Sequence, residues 1–330
     1  MHCWTGQRPG LRAEPALPVR RRWLAAAGTL ALLQGFASYP RVWAKPESST
    51  GARLAAGTPS ATALGAAMQR ALHQIVDVPR VLDDPLAVRI LGADAASALQ
   101  AAADRPSRGL RAYIAMRSRH AEDRLAEAVS RGVRQYVVLG AGLDTFACRN
   151  PHPGLRVFEV DYPATQDWKR GRLAAVGIAE PPALIFVPVD FETQRLPDRL
   201  RESGFDPAQP AFFSMLGVVI YLTEEAMDAT LRVIASCAPG SGITFSFTEP
   251  PSRLEGAALA SRQRSMAAMA AIGEPWRTFL EPESVPSRLR ALGFSAVEVL
   301  TPKQANQRYF GGRVDRLRVP ASSHMATAFV

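Results

Sequence analysis

The stretch "YVVLGAGLDTFACR", from Tyr136 to Arg149, decides the fold, because it runs from an apolar strand through a tight glycine turn into a helix. Gly140 and Gly142 leave the backbone open to close approach by a ligand. Asp144 follows at the start of the helix, a position that favours negative charge and suits a helix cap. Thr145 stands where a dinucleotide-binding loop would carry its third glycine. The turn therefore predicts a ligand that lacks a pyrophosphate.

Apolar runs alternate with helix-like segments along the rest of the chain. Five nearly continuous runs read "QYVVLG", "RVFEVD", "LIFVPVDF", "AFFSMLGVVIYL" and "GITFSFTE". Such runs are typical of parallel strands buried on both faces, and the alternation predicts an α/β fold with a mostly parallel, doubly wound sheet. The late runs "FSAVEVL" and "SSHMATAFV" are candidates for further strands, including an antiparallel edge.

Helical segments are expected on both sides of these strands. Residues 68–90 and 108–131 show helical spacing of apolar residues and predict an N-terminal helical cap, with Gly132 stopping the second helix. The Ala-rich segment from Glu255 to Pro275 predicts an inserted helix that covers the mouth of the site as a lid.

Acidic residues stand at the ends of the second and third predicted strands. Asp161 lies 19 residues after Gly142, a spacing that suits a carboxylate accepting ribose hydroxyls. Glu159 shares its side of the strand, but Asp161 is nearer the carboxyl end. Asp190 and Phe191 end the third strand, where a carboxylate can accept an adenine amine and an aromatic ring can pack on the base.

S-adenosyl-L-methionine fits this pattern better than a nicotinamide or flavin cofactor. It has no phosphate, and it carries an ammonium and a sulfonium group, which a carboxylate at Asp144 attracts. The same carboxylate would repel a pyrophosphate. The cofactor-binding residues predicted from the turn and the strand ends are Gly140, Gly142, Asp144, Asp161, Asp190 and Phe191.

An ordered set of motifs resembles the leucine carboxyl methyltransferase family, in particular its bacterial branch of S-adenosylmethionine-dependent methyltransferases. The matching stretches, from about Arg70 to the C-terminus, are "RALHQIVDVPRVLDDPLAVRIL", "RSRHAEDRL", "YVVLGAGLDTFACR", "VFEVDYP", "VPVDF", "FFSMLGVVIYLTEEAM" and "GEPWRTFL". The resemblance implies a Rossmann-like class I methyltransferase core. It also implies cofactor contacts at Gly140, Asp161, Asp190 and Phe191.

Two further implications of the resemblance concern single positions. An arginine of the helix before the turn holds the cofactor's carboxylate, which Arg119 matches with Arg117 as its rival; a guanidinium pairs bidentately with a carboxylate. Many relatives have a glutamate before the glycine of the fourth-strand motif, where this chain has Leu216. That departure weakens the case for peptide-carboxylate methylation. Tyr221 is a nearby hydroxyl that the substrate pocket can use, or a packing residue.

Composition excludes several other classes. The chain has 330 residues and a net charge of +9, but no basic stripe with interleaved aromatics, so we expect no nucleic-acid partner. Three cysteines and five histidines form no metal-binding spacing, and no metal is expected. The apolar run from Trp23 to Phe36 is too short to span a membrane. Together with three preceding arginines it resembles a twin-arginine export signal within residues 1–44.

These features predict the domain bounds and the cellular location of the protein, each with an alternative. Residues 1–62 are expected to be a signal-like or unstructured extension and linker, or the product of a start placed too far upstream, and residues 63–330 the methyltransferase domain. The cytoplasm is the favoured location because the cofactor is made there, with export as the alternative.

The predicted reaction is O-methylation of a small-molecule acceptor through a carboxylate or hydroxyl. A nicotinamide-dependent oxidoreductase and a non-catalytic binder of S-adenosylmethionine are the alternatives. The sequence identifies no catalytic base and no oligomeric state.

Overall fold

A computed structural model of the protein describes residues 60–92, 95, 99, 108–190 and 194–330. Its strands are β1 (Gln135–Leu139), β2 (Arg156–Asp161), β3 (Leu184–Pro188), β4 (Ala211–Met215), β5 (Gly242–Thr248), β6 (Ala296–Leu300) and β7 (Ser323–Phe329). They form one sheet in the order β3-β2-β1-β4-β5-β7-β6. The five expected parallel strands and both late strands are therefore confirmed.

The sheet is parallel from β3 to β5, and β7 runs antiparallel between β5 and β6. The chain first builds outward from β1 to β3 and then returns to place β4 on the other side of β1. This reversal creates a crevice beyond the carboxyl ends of β1 and β4, which is where α/β sheets bind ligands.

Helices pack on both faces of the sheet. They are α1 (Ala61–Val76), α2 (Arg108–Ser130), α3 (Phe146–Arg149), α4 (Pro163–Ala175), α5 (Leu196–Glu202), α6 (Glu224–Ala235), α7 (Gly256–Ala271), α8 (Val285–Ala291) and α9 (Pro302–Phe310). Side chains along β1 alternate between the two faces of the sheet. Val137 and Leu139 pack in the core formed with α5, α6 and α8. Tyr136 and Val138 pack in the core formed with α2 and α3.

The first helix differs from its predicted bounds. α1 begins at Ala61, where the Ser60 side chain accepts a hydrogen bond from Ala63 N, and it ends at Val76 rather than continuing to residue 90. Pro79 explains the early end, because proline lacks an N–H and disfavours helical backbone in the residue before it. The expected domain start at residue 63 falls within the first turn of α1.

Two expectations fall wholly or largely outside the described residues. The signal-like extension is one, since the description begins at residue 60, and Phe191 is the other. Within the described part of the chain, no helix is both long enough and apolar enough to cross a membrane.

Candidate functional site

A cavity of about 1080 Å³ opens at the carboxyl ends of β1, β2, β4 and β5. Its floor is the turn after β1, and residues of α1, α2 and α7 form its walls. Four of the predicted cofactor residues line it: Gly140, Gly142, Asp144 and Asp161. The reversal in strand order therefore brings the glycine turn and the end of β2 together, as the sequence predicts.

The glycine turn depends on backbone that other residues rarely adopt. Gly140 has a φ of 69°, and a Cβ there would lie 2.4 Å from Cγ2 of Val218. Both restrictions require glycine at this position. The backbone of the turn is thus pressed against the segment after β4 and is exposed to the cavity.

Asp161 ties the end of β2 to this turn. Its Oδ2 accepts a hydrogen bond from Gly142 N at 2.6 Å, and its Oδ1 accepts one from Tyr162 N at 2.7 Å. Burial raises the pKa of Asp161, and the two backbone N–H groups partly offset that rise. Each carboxylate oxygen keeps a second acceptor direction, so the side chain can also receive hydrogen bonds from a ligand.

Asp144 stands directly before Thr145, the N-cap residue of α3, and lines the cavity. Its Oδ1 accepts a hydrogen bond from Phe146 N at 2.7 Å. Burial alone would raise the pKa of Asp144, but Arg70, Arg149 and Lys169 outweigh it and lower the pKa. The carboxylate is therefore ionised at neutral pH, and the three cations that surround it come from parts of the chain outside the turn.

Asp84 anchors the surroundings of the turn, a role that the motifs of the sequence did not indicate. Its carboxylate, fully buried, accepts from Arg70 Nε at 2.9 Å and from Thr145 Oγ1 at 2.6 Å. Arg149 lies 3.4 Å away on the other oxygen. The acidic pair in the apolar stretch "VLDDPLA" was the sequence signal for this role, because a carboxylate that becomes buried needs cationic or hydrogen-bonding partners. Arg70 lines the cavity but forms an ion pair with Asp84.

Arg119 does not enter the cavity. Its side chain is 49% exposed and pairs with Asp123, its Nε lying 2.7 Å from Oδ1. Arg117, the rival position, lines the cavity instead. Two residues along an α-helix correspond to about 200° of rotation, so the two side chains cannot share a face. We therefore correct the expected position of the cavity arginine from Arg119 to Arg117.

The Arg117 guanidinium lies against the backbone that follows β4. A Cβ at Gly217 would lie 2.3 Å from Arg117 Nη1, so only glycine permits this approach. Arg117 forms no ion pair with any described residue, and its buried Nε has no hydrogen-bond partner among them. Burial lowers the pKa of Arg117, while Tyr113 and Tyr221 raise it. Such a half-buried cation without an ion pair is suited to an anionic ligand group.

The other predicted strand-end residues lie apart from the cavity lining. Asp190 follows β3, where its backbone N–H donates to Gln194 Oε1 at 3.0 Å. Glu159 is buried and accepts a hydrogen bond from Lys169 Nζ, and burial raises its pKa to about 6 even with that lysine beside it. Asp161, and not Glu159, faces the cavity, as the position nearer the carboxyl end predicts.

The opposite side of the cavity is formed by the expected lid helix. α7 contributes Ala258, Ser261 and Arg262, and Trp276 follows from the segment after it. Tyr221 also lines the cavity, and so does Leu216, which places an apolar side chain where many relatives are expected to carry an acid. Tyr113, four residues before Arg117 on α2, shares its face and was not singled out by the sequence.

Comparison with known proteins agrees with this architecture. The crystal structure of a "putative methyltransferase" from Thermobifida fusca has the same fold, with a TM-score of 0.51, 20% identity, and coverage of 80% of this chain and 93% of that chain. The doubly wound sheet with its antiparallel β7 is thus the class I methyltransferase fold.

The sequence matches identify the family. The profile named "Leucine carboxyl methyltransferase" matches residues 63–235. A Bacillus subtilis protein named "Putative S-adenosyl-L-methionine-dependent methyltransferase YktD" is 35% identical over 212 residues, covering 63% of this chain and 69% of its own. A Frankia alni protein of the same class name is 34% identical over 249 residues, covering 72% and 78%. The chain belongs to the leucine carboxyl methyltransferase family, and it is an S-adenosyl-L-methionine-dependent methyltransferase.

Proposed function

We propose that the protein methylates an oxygen atom of a small acceptor that is already ionised at neutral pH, a carboxylate above all. The observation that supports this proposal is the set of ionisable side chains in the cavity. Among the described lining residues these are Arg70, Tyr113, Arg117, Asp144, Asp161, Tyr221 and Arg262. The described lining contains no histidine, cysteine, lysine or glutamate.

None of these groups is suited to removing a proton from the acceptor. A general base works best when its pKa lies near the operating pH. Burial raises the pKa values of Tyr113 and Tyr221, which keeps both hydroxyls protonated as hydrogen-bond donors. The pKa of Asp144 is lowered, and Asp161, whose pKa burial raises, is held by two backbone N–H groups and is assigned to the ribose. A carboxylate acceptor needs no base, whereas an alcohol would.

The lining also fits the cofactor. S-adenosyl-L-methionine supplies a methyl group activated by a sulfonium leaving group. Asp161 would accept the ribose hydroxyls, Arg117 would pair with the carboxylate, and the exposed backbone at Gly140 would border the ligand. Asp144 would attract the ammonium group. Asp190 and Phe191 remain proposed neighbours of the adenine, at the end of the strand beside β2.

The walls of the cavity supply alignment and exclusion of water. α1 and α7 lie on either side of the crevice, and Thr62 of α1 donates a hydrogen bond of 2.5 Å to Glu274 after α7. Closing the crevice in this way holds an acceptor in line with the methyl group and keeps water out, which are the main contributions a protein makes to such a displacement.

A labelling experiment tests the proposed reaction. The full chain is incubated with methyl-labelled S-adenosyl-L-methionine and the small-molecule fraction of a bacterial extract, and labelled products are identified by mass spectrometry. We expect methyl esters, which mild alkali hydrolyses to labelled methanol. Label that resists alkali, or that appears only on nitrogen, would contradict carboxylate methylation. Tight cofactor binding with no transfer to any fraction would favour a non-catalytic binder.

A further inference from the structure

A second arginine faces the cavity from the lid helix. Arg262 of α7 lines it, and its guanidinium donates to Ser322 Oγ at 2.6 Å and to the main-chain oxygen of Glu249 at 3.3 Å. It also lies over the ring of Trp276 at 5.4 Å. The side chain is thus held in one position by neutral partners.

No carboxylate among the described residues pairs with Arg262. Glu249 influences Arg262 electrostatically, but its carboxylate lies 3.1 Å from Arg253 and 3.5 Å from His324. Arg253 also engages Glu281 and Glu283. Burial lowers the pKa of Arg262, while Tyr113 and Glu249 raise it, so the guanidinium is partly desolvated without a direct counter-ion. A positioned cation of this kind favours binding of an anion from solution.

Arg262 and Arg117 both act electrostatically on the Tyr113 hydroxyl, although they come from different helices. Both guanidiniums act on the pKa of Tyr113, which burial raises and the two charges lower. Arg117 comes from α2 beside the turn after β4, whereas Arg262 comes from α7. The cavity therefore presents two guanidiniums without ion pairs among the described residues, whereas the cofactor carries a single carboxylate.

We propose that Arg262 is a specificity-determining residue that binds an anionic group of the acceptor, so that the acceptor is a small organic acid. This inference rests on the proposed function, since it assumes that Arg117 is used by the cofactor. Ser322 and Trp276 hold the Arg262 guanidinium in place. Phe247, Ala258 and Met269, which also line the cavity, provide an apolar surface for the carbon skeleton of the acid.

Paired acids and amides test the proposal by calorimetry on the protein saturated with S-adenosylhomocysteine, the demethylated product of the cofactor. The probes are benzoate with benzamide and hexanoate with hexanamide. We expect at least one acid to bind tenfold or more tightly than its amide. Arg262→Met should abolish that preference, and Arg262→Lys should retain part of it.

Arg264→Met is the matched control, because Arg264 lies two residues further along α7, is exposed, and does not line the cavity. It should behave like the unmodified protein. Equal binding of acids and amides, failure of both acids to bind, or an acid preference that survives Arg262→Met would overturn the proposal. Failure of S-adenosylhomocysteine itself to bind would instead contradict the proposed function. In every variant at Arg262, the affinity for S-adenosylhomocysteine should change by less than twofold.

Discussion

The two ends of the cavity are held in place by different kinds of structure. At the proposed cofactor end, the turn after β1 is fixed by strand pairing and by backbone hydrogen bonds, such as Gly140 N to Val160 O at 2.9 Å. At the proposed acceptor end, α7 buries only Ala268 and Met269 among its 16 residues. Few buried apolar contacts mean a low cost of local opening. The cofactor site is therefore expected to be rigid, and the acceptor site to adapt.

The two ends also differ in how their charges are balanced. Asp144 at the turn is surrounded by three cations, and Arg70 is paired with Asp84. At the acceptor end, Arg262 has only neutral hydrogen-bond partners. Each end nevertheless presents one cavity-facing guanidinium without an ion pair among the described residues, Arg117 and Arg262. The charges that remain unpaired thus mark where anionic ligand groups are expected.

Replacing the strand-end carboxylate should have the largest effect. Asp161→Ala removes the proposed acceptor of two ribose hydrogen bonds, each worth about 1.5–3 kcal/mol when charge-assisted, and it also releases Gly142 N. We expect affinity for S-adenosyl-L-methionine to fall by roughly 100-fold or more by calorimetry. Asp190→Ala, at the end of the neighbouring strand, is the control and should cost less than the Asp161 change. Equal losses at both positions would show that the cofactor does not use the floor of the cavity as proposed.

The two candidate arginines of α2 provide a matched pair. Arg117→Met should weaken S-adenosyl-L-methionine by about 2 kcal/mol, roughly 30-fold, because a charged hydrogen-bonded pair is lost. Decarboxylated S-adenosylmethionine should bind both proteins equally well. Arg119→Met, which removes an exposed pair with Asp123, should change neither affinity by more than twofold. A loss of cofactor affinity in Arg119→Met but not in Arg117→Met would contradict the placement of Arg117 in the cavity.

This pair also shows what the sequence could and could not predict. The sheet was predictable because short, nearly continuous apolar runs are typical of strands buried on both faces, and Asp161 because its spacing from Gly142 matches the distance between neighbouring strand ends. Arg117 and Arg119 both lie in an arginine-rich helix whose phase is hard to assign from composition. The four-residue spacing of Tyr113 and Arg117 places both side chains on the same face of α2 and so distinguishes Arg117 from Arg119. Nothing in the Ala-rich lid marked Arg262, because its importance comes from partners distant in the chain.

A buried ion pair between Arg111 and Asp77 connects α2 to the end of α1. Burial alone would raise the pKa of Asp77, but His73 and Arg111 outweigh it and lower the pKa from 3.8 to about 2. Arg111 Nε lies 2.8 Å from the carboxylate and connects α2 to the end of α1. A lowered acid pKa stabilises the fold above the unfolded-state value, and that stabilisation disappears as pH falls towards 2.

Asp77→Asn should therefore lower the free energy of unfolding by about 2 kcal/mol at pH 7. Urea unfolding at pH 7, 4 and 3 measures the difference, which should shrink steadily once the pH falls below 4. Asp83→Asn is the control, since Asp83 is 79% exposed and lies 3.5 Å from an exposed arginine. A difference that stays constant down to pH 3 would mean that the charge of Asp77 does not support α1.

The smallest expected effect concerns the contact that joins the two ends. Thr62→Val removes the hydrogen bond from α1 to Glu274, and Glu274 stays partly solvated, so about 1 kcal/mol is at stake. We expect hydrogen exchange in α7 to rise about fivefold, with no change in the sheet and less than a twofold change in cofactor affinity. Thr230→Val on α6, whose hydroxyl bonds only within its own helix, should leave exchange in α7 unaltered. Unchanged exchange in α7 of Thr62→Val would mean that the packing of α7 and the contacts of Arg262 hold this helix in place. The difference in rigidity between the two ends of the cavity would then be smaller than the few buried residues of α7 suggest.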